Sequence, residues 1–224
     1  MSTFGFRTLR CAVCGEETTL GVCKSTNAFG SPDLDLRPPP MQRDTMGFWV
    51  QKCPHCGYAA RNISKYEETD RAYLASEEYL SCEGLPIRSA GCARFYQYHL
   101  LGKKRLNRRE ELDGLLCAIW TCDDEGEEAL AATLRLKAAA VLEAVIDGNG
   151  QDAKAREQEL LQRADLLRRA GAFQKLLDEY RDLSLEEELL ARLLKFELDC
   201  AEAGDTRCYT VQQALHILDD LDEP

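Results

Sequence analysis

No stretch of about 18 consecutive apolar residues occurs in this 224-residue chain, which excludes a membrane-spanning helix. Its first residues, Met1-Ser2-Thr3-Phe4-Gly5-Phe6-Arg7, lack the apolar core of a signal peptide, so a cytoplasmic location is expected. Histidine is scarce. With only His55, His99 and His216, catalytic triads and His-rich metal sites have little material, and none of the three is followed by x-Glu as a zinc deaminase requires. Net basic charge is lacking too. The formal net charge is −11, divided as +3 over residues 1–65 and −14 over residues 66–224. An acidic body repels nucleic acid at long range. Apolar residues make up 45% of the chain, enough for a real core.

Cysteine, by contrast, is abundant, with 11 residues. Four of them stand in two matching knuckles, Cys11-Ala12-Val13-Cys14-Gly15 and Cys53-Pro54-His55-Cys56-Gly57. Two thiolates on each tight turn supply the four soft ligands of a tetrahedral Zn²⁺ site, and the glycine after each pair permits a left-handed backbone as the chain turns away. A complete sulfur shell leaves no coordination position for substrate or water, so the expected zinc is structural. Arg10 and Lys52, each one residue ahead of a knuckle, are placed to offset the −2 charge of such a centre. The 38 residues between the pairs imply a substantial inserted loop. Cys53-Pro54-His55-Cys56 also matches the active-site letters of strongly oxidising thioredoxin-like proteins. That setting requires a preceding strand, a long helix straight after and an α/β sheet; here Gly57 follows at once and no βαβ pattern is visible. Cys23 is a reserve ligand. Cys82, Cys92, Cys117, Cys122, Cys200 and Cys208 lie in helical patterns and read as small core residues. His99 and His216 read as packing or surface residues of helices.

The fold class expected is mainly α: a small β, zinc-ribbon-like module over residues 1–63, then an antiparallel, tetratricopeptide-like helical domain over residues 64–224. In the first part, Phe48–Lys52 reads as a strand leading into the second knuckle and Thr18–Cys23 as a strand leaving the first, while Pro32 and Pro38-Pro39-Pro40 exclude a helix between them. Helix starts are marked by capping boxes at Ser64–Glu67, Ser184–Glu187 and Thr210–Gln213, and more weakly by Asn107 with Glu110. Apolar stripes run through Leu130, Leu134, Ala138, Val141, Leu142 and Val145; through Phe173, Leu176, Leu177, Tyr180 and Leu183; and through Leu189, Leu193, Phe196 and Cys200, with Leu190 and Leu194 widening the last. Breaks fall at Gly84–Pro86, Lys103–Arg105, Asp147–Gly150, Gly171 and Gly204, giving roughly eight helices. Leu166–Leu177 has the pattern of a tetratricopeptide turn, and Tyr98–Gly102 is a poorer second copy; a plain helical bundle is the alternative.

One loop stands apart. In Ser31–Pro40, an extended chain would bring Asp33, Asp35 and Arg37 to one side, either as a loop site touching a ligand or the helical body, or as a stiff surface loop with a local ion pair.

Cys11–Gly15, Phe29–Pro39 and Trp49–Ala59 together resemble a family of uncharacterised bacterial proteins with a split zinc-ribbon-like N-terminus and a tetratricopeptide-like C-terminal region. Ala118–Asp124 and Leu167–Gly171 are similar to its helical half. The resemblance implies zinc at Cys11, Cys14, Cys53 and Cys56 and a bacterial cytoplasmic protein, and brings no activity with it. The function expected is that of a non-catalytic, zinc-braced module binding a protein partner as a scaffold. The alternatives are nucleic-acid binding by the basic module, where Phe4, Phe6, Phe48, Trp49 and Tyr58 lie near Arg7, Arg10, Arg43, Lys52 and Arg61, and thiol–disulfide exchange at Cys53 and Cys56.

Overall fold

In the computed structural model, residues 1–67, 69, 71–148 and 153–222 are described; the break expected at Asp147–Gly150 therefore lies in part, at residues 149 and 150, outside the described residues. The protein is mainly α, with a small β part at the N-terminus. Strands β1 (Thr3–Arg10) and β2 (Glu17–Ser25) form one antiparallel hairpin, and β3 (Gln51–Lys52) and β4 (Ala59–Ala60) form a second. The helices are α1 (Arg71–Leu74), α2 (Glu77–Leu80), α3 (Ala90–Lys104), α4 (Arg108–Glu125), α5 (Glu128–Gly148), α6 (Ala153–Arg169), α7 (Phe173–Tyr180), α8 (Glu188–Glu202) and α9 (Val211–Asp222).

The chain packs as two compact units, one of residues 1–29 and 40–130, the other of residues 30–39 and 131–224. This division does not follow the change from strands, the last at Ala59–Ala60, to helices, the first described one at Arg71–Leu74. Within the first unit, β4 packs on α3, Ala59, Ala60 and Ile63 are buried, and the Tyr79 hydroxyl of α2 donates to the Gly57 carbonyl at 2.7 Å. The second hairpin thus shares a core with α2 and α3.

Helices α3 and α4 form the tightest contact of this unit. A Cβ at Gly114 would fall 2.5 Å from the His99 backbone nitrogen, and one at Gly102 would fall 2.6 Å from that of Glu111. Only hydrogen at those two positions lets the backbones approach so closely. Gly102 therefore serves helix contact, where the repeat-like pattern of Tyr98–Gly102 suggested a turn; α3 runs on to Lys104. The turn follows at Leu106, which has φ of 56°, and Asn107 caps α4 by accepting from the Glu110 N–H at 3.3 Å, as its sequence predicts.

In the second unit α6, α7 and α8 pack on one another, and α9 packs on α8. The turn between α6 and α7 has Gly171 at φ 75°, with the Ala172 N–H donating to Leu167 and the Gly171 N–H to Arg168, so the helix–glycine–aromatic–helix reading of Leu166–Leu177 describes this turn. The apolar stripes of α5 and α7 are buried at Leu130, Leu134, Ala138, Val141, Leu142, Leu176 and Tyr180. In α8 the buried face is centred on Leu190, Leu193, Leu194 and Phe196, leaving Leu189 exposed.

The capping boxes divide. Thr210 and Gln213 form a reciprocal pair, with bonds of 2.9 and 3.1 Å. At Ser184–Glu187 the cap comes from elsewhere: Glu157 on α6 accepts from the N–H groups of Glu186 and Glu187 at 2.6 and 3.1 Å, and the helix begins at Glu188. At Ser64 no helix starts. The Ser64 N–H donates to the Asn62 side chain at 3.0 Å in a local turn, and the first helix begins at Arg71. Phe48–Lys52 is likewise only partly a strand. Residues Arg43–Phe48 form a 3₁₀ turn, the Trp49 indole N–H donates to the Thr45 hydroxyl at 3.0 Å, and only Gln51–Lys52 pair.

Candidate metal centre

Each knuckle is the loop of a hairpin, and the two are locally equivalent. Arg10 pairs with Glu17 across the first and Lys52 with Ala59 across the second. In the first, the Cys11 N–H donates to Glu16 and the Gly15 N–H back to Cys11, at 2.9 and 2.8 Å; in the second, Cys53 donates to Tyr58 and Gly57 back to Cys53, both at 2.9 Å. Gly15 and Gly57 have φ of 81° and 78°, the left-handed conformation for which their sequence position calls. Arg10 adds a bond from its guanidinium to the Gly15 carbonyl at 2.9 Å.

These turns bring four sulfurs together. The ligand atoms of Cys11, Cys14, Cys53 and Cys56 all lie within 4.8 Å of one another. Cys11 Sγ is 3.7 Å from Cys56 Sγ, and Cys14 Sγ is 3.7 Å from Cys53 Sγ. A tetrahedral metal with metal–sulfur bonds of about 2.3 Å has sulfur–sulfur edges of about 3.8 Å, so the cluster has the dimensions of a four-thiolate site. Cys11 and Cys53 are buried, and Cys14 and Cys56 are partly exposed. Burial pushes the Cys53 and Cys56 thiols up. Burial acts on Cys14 in the same direction, but the Glu16 backbone and the neighbouring thiols of Cys53, Cys11 and Cys56 outweigh it and hold that thiol below its ordinary value. An attacking thiol of a disulfide oxidant needs access and a depressed pKa in its first cysteine. Cys53 has the opposite of both, with 0% exposure. Cys23 lies on β2 outside the cluster, its thiol directed to the Ser25 carbonyl at 3.5 Å. Cys82, Cys92, Cys117, Cys122 and Cys200 are buried as expected, whereas Cys208 is exposed in the turn before α9.

Asp33, Asp35 and Arg37 are placed inside the second unit. The segment does not stay extended. The Asp33 N–H donates to the Arg37 carbonyl at 3.0 Å, Leu36 turns back with φ of 67°, and the Arg37 N–H donates to Asp35 Oδ1 at 3.1 Å. The loop is strapped to α9 through an antiparallel bridge between Asp33 and Thr210, with Leu34 donating to Tyr209 and Val211 to Pro32. It is strapped to α6 through Gln162, which donates to the Asp35 carbonyl at 2.7 Å, and Arg169, which meets Asp35 Oδ2 at 2.9 Å. All three charged residues are buried, and the arrangement is that of a structural tie.

Sequence reasoning missed a group of buried charges on α6 and α8 of the same unit. Arg168 and Glu197 have no exposed side-chain surface and meet at 2.5 Å, and Arg168 reaches Asp165 at 2.8 Å. Their signal was available: Arg168-Arg169 directly follows the apolar Leu166-Leu167, where a solvated face is not expected. Missed as well was a groove of about 620 Å³ beside the second knuckle, walled by Lys52, His55, Arg71, Leu74 and Leu80. Its last three residues belong to α1 and α2, which the misplaced cap at Ser64 concealed. Among known proteins, no family model, curated protein or solved structure matches the chain.

Proposed function

We propose that Cys11, Cys14, Cys53 and Cys56 hold one structural Zn²⁺, and that the protein is a non-catalytic module whose helical surface binds a protein partner. The observation that carries this reading is the convergence of four sulfurs from two equivalent hairpin loops at tetrahedral spacing. A site closed by four thiolates contributes through folding, since a structural zinc in finger peptides supplies about 10–16 kcal/mol of apparent binding free energy coupled to folding. The short helix pair around Gly171 supports a tetratricopeptide-like surface, and the family resemblance supports a bacterial cytoplasmic setting. Tetrahedral sulfur sites also suit iron, so the metal is tested directly. Protein purified without added metal should carry one zinc per chain by elemental analysis; iron in its place, or a Cys53–Cys56 disulfide without metal, overturns the zinc assignment. Affinity purification from native cells after nuclease treatment should retain an identified protein in near-stoichiometric amount. Retention of nucleic acid alone, in a parallel purification without nuclease, overturns the protein-partner reading.

A further inference from the structure

Helices α3 and α4 form an antiparallel hairpin that is closed at one end and open at the other. Their connection turns at Leu106 and Asn107. From there Gly102 meets the Glu111 backbone and Gly114 the backbone of His99, and at the far end a Cβ on Gly91 would stand 3.7 Å from Thr121 Cγ2. Next to that last contact, Cys92 Sγ lies 3.5 Å from Cys122 Sγ. Cys92 is in the first turn of α3 and Cys122 in the last turn of α4. The two thiols therefore face each other across the open end of the hairpin. Each is 1% exposed, yet Ala90 and Asp124, close by along the chain, are exposed, so the pair lies just beneath the surface.

From this geometry we infer that Cys92 and Cys122 are a site of reversible oxidation, at which a peroxide joins α3 to α4 through a disulfide. Three observations favour a covalent pair over inert packing. An S–S bond of about 2.05 Å asks the sulfurs to approach by only about 1.5 Å, and the glycine contacts already hold the two backbones together. Little is lost on oxidation, since the other contact of Cys92 Sγ is a weak one to the Ala118 carbonyl at 3.8 Å. The knuckle cluster is the one group of three or more metal-ligating residues within reach of one another among the described residues, so this pair has no place in a second metal centre. Helix ends open locally at lower free energy than helix middles, which admits a small oxidant to thiols that a bulky one does not reach. In the first step one thiolate attacks hydrogen peroxide, becomes a sulfenic acid and releases hydroxide. The sulfur of the second thiol then displaces the hydroxyl group, its proton leaves with that group as water, and the S–S bond forms. Two thiols and one peroxide thus give one disulfide and two waters, the two electrons lost by the sulfurs passing to the peroxide oxygens. A dithiol reverses the step by thiol–disulfide exchange. Neither zinc nor a partner enters it.

The test uses the full zinc-loaded chain, exposed to hydrogen peroxide until the exposed Cys208 is oxidised. The sample is then denatured, its remaining thiols are alkylated, and it is digested with trypsin without reduction. The peptide Ser89–Arg94 should appear joined to the peptide Glu110–Arg135, with fragmentation placing the bond at Cys122 and not at Cys117. Dithiothreitol should remove the link. Cys92→Ala or Cys122→Ala should prevent it, and Cys117→Ala should not. The wild-type peptide map decides by itself, so a variant that folds poorly does not obscure the result. Recovery of Cys92 and Cys122 as alkylated thiols after Cys208 has been consumed overturns the proposal. A link from either to another cysteine, or oxidation of one to a sulfinic acid without a link, does the same, as does a set of disulfides confined to the four knuckle cysteines.

Discussion

Cys11 Sγ and Cys56 Sγ stand 3.7 Å apart although 45 positions separate them in the chain. The pairing crosses between knuckles, so each hairpin loop contributes to both halves of the cluster. A change at either knuckle should therefore be felt at the other. Cys14→Ser or Cys56→Ser should abolish stoichiometric metal, and hydrogen exchange should accelerate in both hairpins, β1–β2 as well as β3–β4. Elemental analysis with peptide-resolved exchange measures this. Full metal retention in either variant, or exchange confined to the mutated loop, would contradict the shared site.

The tie between Asp35 and Arg169 gives a second test. Asp35→Ala leaves the Arg169 guanidinium buried without the carboxylate that it meets at 2.9 Å. Breaking a buried pair by removing one partner costs about 3–5 kcal/mol. Urea denaturation should register a loss of that size, and Asp35→Ala with Arg169→Met should recover part of it because the guanidinium that met the Asp35 carboxylate is then absent. A loss below about 1 kcal/mol in the single variant would mean that the loop is only surface decoration.

At the α3–α4 contact, Gly114→Ala places a methyl group 2.5 Å from the His99 backbone nitrogen. No side chain can swing aside there, so the helices must part. Overpacking of this kind costs about 1–3 kcal/mol, and the clash with backbone puts Gly114→Ala at the upper end. Ala118→Gly, one turn on in the same helix, should cost only the helical glycine penalty of about 1 kcal/mol plus the lost methyl burial. Equal melting temperatures for wild type and Gly114→Ala would refute the close-contact role.

What the sequence disclosed divides along physical lines. The knuckles were legible because metal chemistry fixes residue type, spacing and the following glycine within five residues, and the structure brings all four sulfurs together. The helices of the second unit were legible because their faces alternate between core and water. The β1 strand was not, since Thr3–Arg10 mixes exposed Phe4 and Phe6 with polar neighbours and has one buried residue, Leu9. The fate of Asp33, Asp35 and Arg37 was hidden for a different reason. Their partners Gln162, Arg169 and Thr210 are more than a hundred residues away, and local pattern says nothing about such pairings.

The buried trio of Asp165, Arg168 and Glu197 carries the last prediction. Burial, helped by the negative charge of Asp165 and opposed by Arg168, pushes Glu197 up to about 8. The unfolded chain releases this proton near the ordinary glutamate value of about 4.3. Between those values the folded state holds a proton that the unfolded state has lost, so stability is greatest at low pH for this group and declines as pH rises toward 8. The limiting slope for one proton is about 1.4 kcal/mol per pH unit. Glu197→Gln keeps the shape and removes the titration. Urea midpoints measured from pH 5 to 9 with excess zinc should fall more steeply in the wild type than in the variant across that window and run parallel above it. Parallel curves throughout would show that Glu197 is ionised at neutral pH, with Arg168 compensating its charge in full.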